Sequence, residues 1–141
     1  MRPRLVPELI VSDLGRSLAF YVDLAGFRVL YARPEERFAF LERAGAELML
    51  DQPFTRDRLW PKAELSHPYG RGVSLEIGVD DADRLHGAVV AAGLVPHLPL
   101  EERWYRRDAV ELGVRQFAVP DPDGYLLRFS QAIGERPCPA K

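Results

Sequence analysis

With 141 residues and a mass of 16.0 kDa, the chain has room for one or two small modules and a substantial core. Hydrophobic residues make up 47% and charged residues 28%, as in a soluble globular domain, and a formal net charge of −2 lacks the basic surplus that a nucleic-acid partner would want. No apolar run approaches the roughly 18–20 residues needed to cross a membrane, and no long apolar stretch follows Met1-Arg2-Pro3-Arg4 to suggest a signal peptide. The single cysteine, Cys138, excludes an internal disulfide and fits a reducing, cytoplasmic setting.

From Leu5 the pattern alternates, with Leu5, Leu9 and Val11 on one face and Val6, Glu8 and Ile10 on the other. Asp13 then offers a helix N-cap, and Leu14, Leu18, Tyr21, Val22 and Ala25 make an apolar stripe that Gly26 closes. Three strand patterns follow at Phe27–Ala32, Arg37–Leu41 and Ala46–Asp51, with turns at Pro34-Glu35-Glu36 and Arg43-Ala44-Gly45. The last strand sets Ala46, Leu48 and Leu50 against Glu47, Met49 and Asp51. Residues 53–72 are rich in turn formers, carry Trp60 and Tyr69, and read as a linker in which Trp60 is a packing anchor.

The second half repeats this plan. Glu76-Ile77-Gly78-Val79-Asp80-Asp81 matches Glu8-Leu9-Ile10-Val11-Ser12-Asp13 position for position, and Ala92-Gly93 ends a helical pattern as Ala25-Gly26 does. The stripe is now Ala82, Leu85, Ala88, Val89 and Ala92. Strand patterns recur at Val95–Leu100, Gln116–Val119 and Tyr125–Ser130, with a long connection around Glu101–Gly113 and a tail over 132–141. Asp121-Pro122-Asp123-Gly124 is a turn with a mechanism: Pro122 presets φ, Asp123 bonds its own backbone, and Gly124 takes the left-handed position. The expected fold is α+β, a single domain of two βαβββ modules, 5–52 and 73–131, joined by linker 53–72.

Apolar faces such as Val73, Leu75, Ile77 and Val79 should take the helices. The opposite faces carry Glu8, Glu76 and Arg128 among apolar neighbours, too polar for a dry core and too apolar for plain solvent. A concave pocket resolves this. Arg128 lies mid-strand, where a cation is costly unless it meets a carboxylate or a wet cavity.

Taken together, Val6-Pro7-Glu8-Leu9-Ile10-Val11-Ser12-Asp13-Leu14, Ser17-Leu18-Ala19-Phe20-Tyr21 with Gly26-Phe27, and Gln116-Phe117-Ala118-Val119 leading into Asp121-Pro122-Asp123-Gly124 and Leu127-Arg128-Phe129 resemble the vicinal oxygen chelate superfamily. That superfamily includes glyoxalase I, extradiol dioxygenases and bleomycin resistance proteins. The resemblance spans about residues 5–131 and implies curled mixed sheets around a cleft and a homodimer. Its enzymes place His, Gln or Glu metal ligands on the first and last strands of each module. The matching positions here are Val6, Met49, Ser74 and Arg128, none a carboxylate or an imidazole, so neither a metal nor another cofactor is expected and no catalytic residue is assigned. His67, His86 and His97 show no paired ligand spacing.

The metal-free bleomycin resistance proteins are the members this chain resembles most, and they act by sequestration. The resemblance then implies a small-molecule ligand, flat and cationic like bleomycin, held by aromatic planes and acidic groups. Phe38, with Phe40 two residues on, matches a strand that supplies a stacking aromatic in those proteins. Their tryptophan before an Arg-Glu-Phe strand falls here at Gly113, and Trp104, with Tyr105 beside it in the long connection, is the candidate replacement. The expected site is Glu8, Phe38, Phe40, Glu76, Trp104, Tyr105 and Arg128, with Glu76 and Arg128 either paired structurally or recognising ligand. The alternatives are a metal-dependent lyase or dioxygenase of the same superfamily and a non-catalytic interaction module.

Overall fold

The computed structural model describes residues 3–60 and 63–140; the start of the chain at Met1 and Arg2, Pro61 and Lys62 of the expected linker, and Lys141 of the expected tail lie outside them. The chain divides into two units, one running to Arg71 and including Asp121–Tyr125, the other made of Gly72–Pro120 and the residues from Leu126 onward.

The first unit holds β1 (Glu8–Ile10), α1 (Leu14–Leu18), β2 (Arg28–Arg33), β3 (Phe38–Arg43) and β4 (Ala46–Asp51) in a sheet of order β1-β4-β3-β2. The second holds β5 (Ser74–Gly78), α2 (Ala82–Ala91), β6 (Leu98–Arg107), β7 (Val110–Pro120) and β8 (Leu126–Pro137) in the matching order β5-β8-β7-β6. In both, the first strand runs parallel to the last and the other pairings are antiparallel. The repeated sequence plan is a repeated βαβββ fold.

The caps fall where the sequence puts them. Asp13 accepts from the Arg16 amide at 3.1 Å and Asp81 from the Arg84 amide at 3.0 Å. Gly26 and Gly93 follow the helical segments with φ of +82° and +84°. The first stripe differs from its expected form. After Leu18 the helix widens into a π-helical turn, Ala19–Leu24, in which the Ala25 amide bonds the Phe20 carbonyl at 2.9 Å. Tyr21 and Ala25 of the expected stripe are buried, and Phe20 and Ser17 are buried beside them, while Leu14, Leu18 and Val22 are only half-buried. In α2 the buried positions are Ala82, Leu85 and Val89, while Ala88 and Ala92 are exposed.

The second unit also departs from its expected boundaries. Glu101–Gly113 is not a long loop: β6 and β7 run almost to a tight turn at Asp108–Ala109, with register from Glu101↔Gln116 to Arg107↔Val110. The expected tail from residue 132 is strand as far as Pro137, because β8 continues beside β7 through Glu111↔Arg136 and Val110↔Pro137. Charged residues run through these strands, and cross-strand pairs such as Arg136–Glu111 at 2.8 Å accommodate them. Trp60 is no packing anchor: it is 98% exposed.

The core of the first unit takes Leu9, Leu41, Leu48 and Leu50, and that of the second Ile77, Phe117, Leu127 and Phe129. Removing such side chains from water contributes about 1.5–3 kcal/mol each. The Asp121–Tyr125 turn belongs to the first unit through its hydrogen bonds. Tyr21 Oη donates to Asp121 Oδ2 at 2.7 Å, and Asp121 Oδ1 accepts from the Asp123 and Tyr125 amides, each at 2.9 Å. The turn backbone is thus held by Asp121 rather than, as expected, by Asp123, which instead accepts from the Ser12 amide and hydroxyl, and Tyr125 Oη donates to the Ile10 carbonyl.

Candidate functional site

The sheet of the first unit brings acids and aromatics to one face by its register. Glu8 stands opposite Met49, Phe38 opposite Asp51, Tyr31 opposite Phe40, and Arg33 opposite Phe38. Cross-strand partners project to the same side. Leu9, Leu48 and Leu50 turn to the other face, so a single alternation both fills the core and assembles this surface.

A cavity of about 580 Å³ lies over this face. Glu8 and Asp51 supply its acids, Tyr31, Phe38 and Phe54 its aromatic rings, and Arg33 and Arg58 its cations, with Glu36 beside Arg33. Phe54 is 68% exposed and is backed by Arg37, whose guanidinium carbon lies 3.7 Å from the ring centroid. Arg37 Nε and Nη2 also donate to the carbonyls of Gln52 and Pro53 at 3.0 and 3.2 Å, which ties the segment carrying Phe54 to the end of β4. Arg37 itself sits at φ 53°, a left-handed position that turns the chain between the Pro34–Glu36 3-10 turn and β3.

The Glu8 carboxyl is raised above its ordinary value, first by loss of hydration in the cavity and then by hydrogen bonding to, and the charge of, Asp51. Arg58 and Arg33 oppose that rise. A cation arriving beside these two acids would favour the charged form of Glu8 and reverse that rise.

Of the expected site residues, Glu8 and Phe38 line this cavity. Phe40 lies under Tyr31, the rings stacked at 5.0 Å and 18°. Sequence reasoning missed Tyr31, Asp51, Phe54 and Arg58. The alternation of β4 had already set Asp51 on the face of Met49, and that was the available signal for it. Phe54 and Arg58 come from the turn-rich segment, where no periodicity marks a face.

Glu76 and Arg128 meet in the second unit, cross-strand neighbours with Nη2 and Oε2 3.4 Å apart. Arg128 Nε is buried with no hydrogen-bond partner among the described residues. Gln116, on the same face and only 1% exposed, donates to Tyr105 Oη at 2.7 Å and to Glu101 Oε1 at 3.0 Å. Trp104 alternates to the opposite face of β6, where its ring lies over Gly113 and carries the Arg136 guanidinium at 4.1 Å. A Cβ added at Gly113 would meet Trp104 Cη2 at 2.6 Å. Gly113→Ala should therefore cost about 1–3 kcal/mol, read as a lower urea midpoint with a changed near-ultraviolet tryptophan signal.

At the positions where the superfamily's enzymes hold metal, this chain offers an isopropyl group, a thioether, a hydroxyl and a guanidinium. Among the described residues no group of three or more His, Cys, Asp or Glu is placed to hold an ion. These residues do not fit a divalent centre of nitrogen and oxygen donors. Among the same residues no helix is long and apolar enough to cross a membrane.

Two βαβββ units of identical strand order, each with a parallel first-to-last pair, define the fold class. The family model described as the Glyoxalase/Bleomycin resistance protein/Dioxygenase superfamily matches residues 5–129, and the chain belongs to that superfamily. It is 28% identical over 137 residues to a bleomycin resistance protein of Geobacillus stearothermophilus, covering 91% of this chain and 96% of the relative. In fold it is similar to TioX from Micromonospora sp. ML1, with a TM-score of 0.67 and 24% identity over 93% of this chain and 100% of that one. It is likewise similar to a lactoylglutathione lyase from Agrobacterium tumefaciens, with a TM-score of 0.59 and 20% identity over 92% and 94% of the two chains. A fold shared with an enzyme does not decide activity; the site must.

Proposed function

We propose that the protein binds a small, flat, cationic molecule in the cavity of its first unit and protects by sequestration, without a metal and without making or breaking a bond. The carrying observation is the cavity's make-up: the Glu8–Asp51 pair on one side, the exposed faces of Tyr31 and Phe54 on the other. Aromatic planes hold a heteroaromatic group and carboxylates hold its charge. The bleomycin resistance relative supports the class of ligand, and the Val6, Met49, Ser74 and Arg128 set supports metal independence. The reading takes the working form to be a cytoplasmic homodimer with no nucleic-acid or membrane partner.

The experiment is a titration with bleomycin or phleomycin in chelator-treated buffer, followed by calorimetry and thermal melting. At a ligand concentration of about 100 times Kd, melting should reflect about 2.7 kcal/mol of added stability. The drug should be recovered unaltered after prolonged incubation. A flat calorimetric trace and an unshifted melt at micromolar drug exclude drug sequestration, and binding that appears only when a divalent ion is restored excludes metal independence.

A further inference from the structure

Phe38 lines the cavity, yet the residue is only 5% exposed and one face of its ring is already taken. The Arg33 guanidinium carbon stands 4.0 Å from the ring centroid. Glu36, in the 3-10 turn that follows β2, holds it there through an Nε–Oε2 contact of 2.6 Å. Tyr31, two residues earlier on the same strand, packs against Phe38 at 6.1 Å between centroids. Glu8 and Asp51 line the same cavity, and the Arg33 charge is felt at Glu8. A ring face, a carboxylate in direct contact and further carboxylates close by are what a planar cation requires. The chain fills that requirement with a planar cation of its own.

We propose that Arg33 is a resident competitor: its guanidinium occupies the place on Phe38 that the planar cationic group of a ligand, an amidinium or an aromatic ammonium, takes when it binds. The proposal rests on the cavity of the first unit being the ligand site. Arg33 is held at the surface, by Glu36 and by a hydrogen bond to Tyr31. Its side chain is 42% exposed and its partner Glu36 60% exposed, and an exposed i,i+3 ion pair costs little to open. Once it has swung outward, Phe38 presents a bare face, and the positive charge that opposed an incoming cation has moved away. Arg33 thereby sets a threshold: a ligand must offer a better planar cation than the protein's own side chain. A neutral aromatic of the same size gains the ring but not the carboxylates.

The test compares wild type with Arg33→Ala and Arg33→Lys, titrated with ethidium as a planar aromatic cation and followed by its fluorescence. Arg33→Ala should bind about tenfold more tightly than wild type, a ratio equivalent to 1.4 kcal/mol. Arg33→Lys keeps the charge but loses the planar fork and should fall between the two. A neutral planar dye of similar size should respond less to Arg33→Ala than ethidium does. An Arg33→Ala chain that binds ethidium no more tightly than wild type overturns the proposal. If bleomycin and phleomycin also leave both chains unchanged in calorimetry, the cavity reading falls as well; if they bind, that reading stands and only the competitor role is lost.

Discussion

Glu8→Gln combined with Asp51→Asn should lose about tenfold in affinity for a cationic ligand, a ratio equivalent to about 1.4 kcal/mol, since Glu8 is solvent-exposed and Asp51 only half-buried. The free variant should melt no lower than wild type. Because the Glu8 carboxyl is raised in the folded chain, its contribution to stability is fully present below its ordinary range and is lost as pH rises through the raised value. At neutral pH the ionised form is therefore the less comfortable one, and an amide there removes a cost. The ligand's needs run the other way, since a protonated carboxyl attracts no cation. Affinity in the wild type should fall as pH drops through the Glu8 range, and binding from just below it should release a proton. Calorimetry in two buffers of different ionisation enthalpy reads that proton directly. Equal affinities for the double variant and wild type would show that the acids do not hold the ligand.

Asp121→Ala should be the most destabilising single change outside the apolar core, at about 3–5 kcal/mol in urea unfolding. It leaves three donors without their acceptor: the Tyr21 hydroxyl, fully buried, and the amides of Asp123 and Tyr125. Tyr21→Phe, which removes only one of those bonds, should cost about 1.5–3 kcal/mol, and the difference between the two variants measures the turn amides. Burial raises the Asp121 carboxyl although the Tyr21 hydroxyl and the two amides pull it down, so protonating it on mild acidification should not weaken the fold through this group. The Tyr21 hydroxyl is pushed well above its ordinary range by the same burial and by the Asp121 charge, and it stays a donor throughout the accessible pH range.

The sequence was most legible where chemistry repeats at a short period. Paired Asp caps, Ala-Gly helix ends and the alternation of Leu9, Leu48, Leu50, Ile77, Leu127 and Phe129 are local signals, and the structure follows them. The Glu76–Arg128 contact was foreseeable only through the family resemblance, which sets the two strands side by side; the register Glu76↔Arg128 then brings the side chains together. The extended hairpin of β6 and β7 was not expected, because charge dominates β6 from Glu101 to Arg107; in β7 the alternation of Val110, Leu112 and Val114 with Glu111, Gly113 and Arg115 was there to be read. The π-helical turn was hidden for a different reason: a 3.6-residue period places Leu14, Leu18 and Tyr21 on one stripe, and nothing in that period marks the wider turn that brings Phe20 in beside Tyr21, whose hydroxyl bonds Asp121 a hundred residues away. At the site, Glu8 was readable from strand alternation and Phe38 from the family resemblance, Asp51 was missed although alternation marked its face, and Phe54 and Arg58 owe their places to an irregular segment clamped by Arg37.

The membership of Asp121–Tyr125 in the first unit has a consequence for the order in which the protein is made. Tyr21 and Ser12 emerge early from the ribosome, but their acidic acceptors emerge only after β7 has been synthesised. Until then the nascent first half must keep a buried-type hydroxyl open to water. A fragment ending at Arg71 should therefore remain protease-sensitive, and should become resistant only when a peptide carrying Asp121–Tyr125 is supplied in trans.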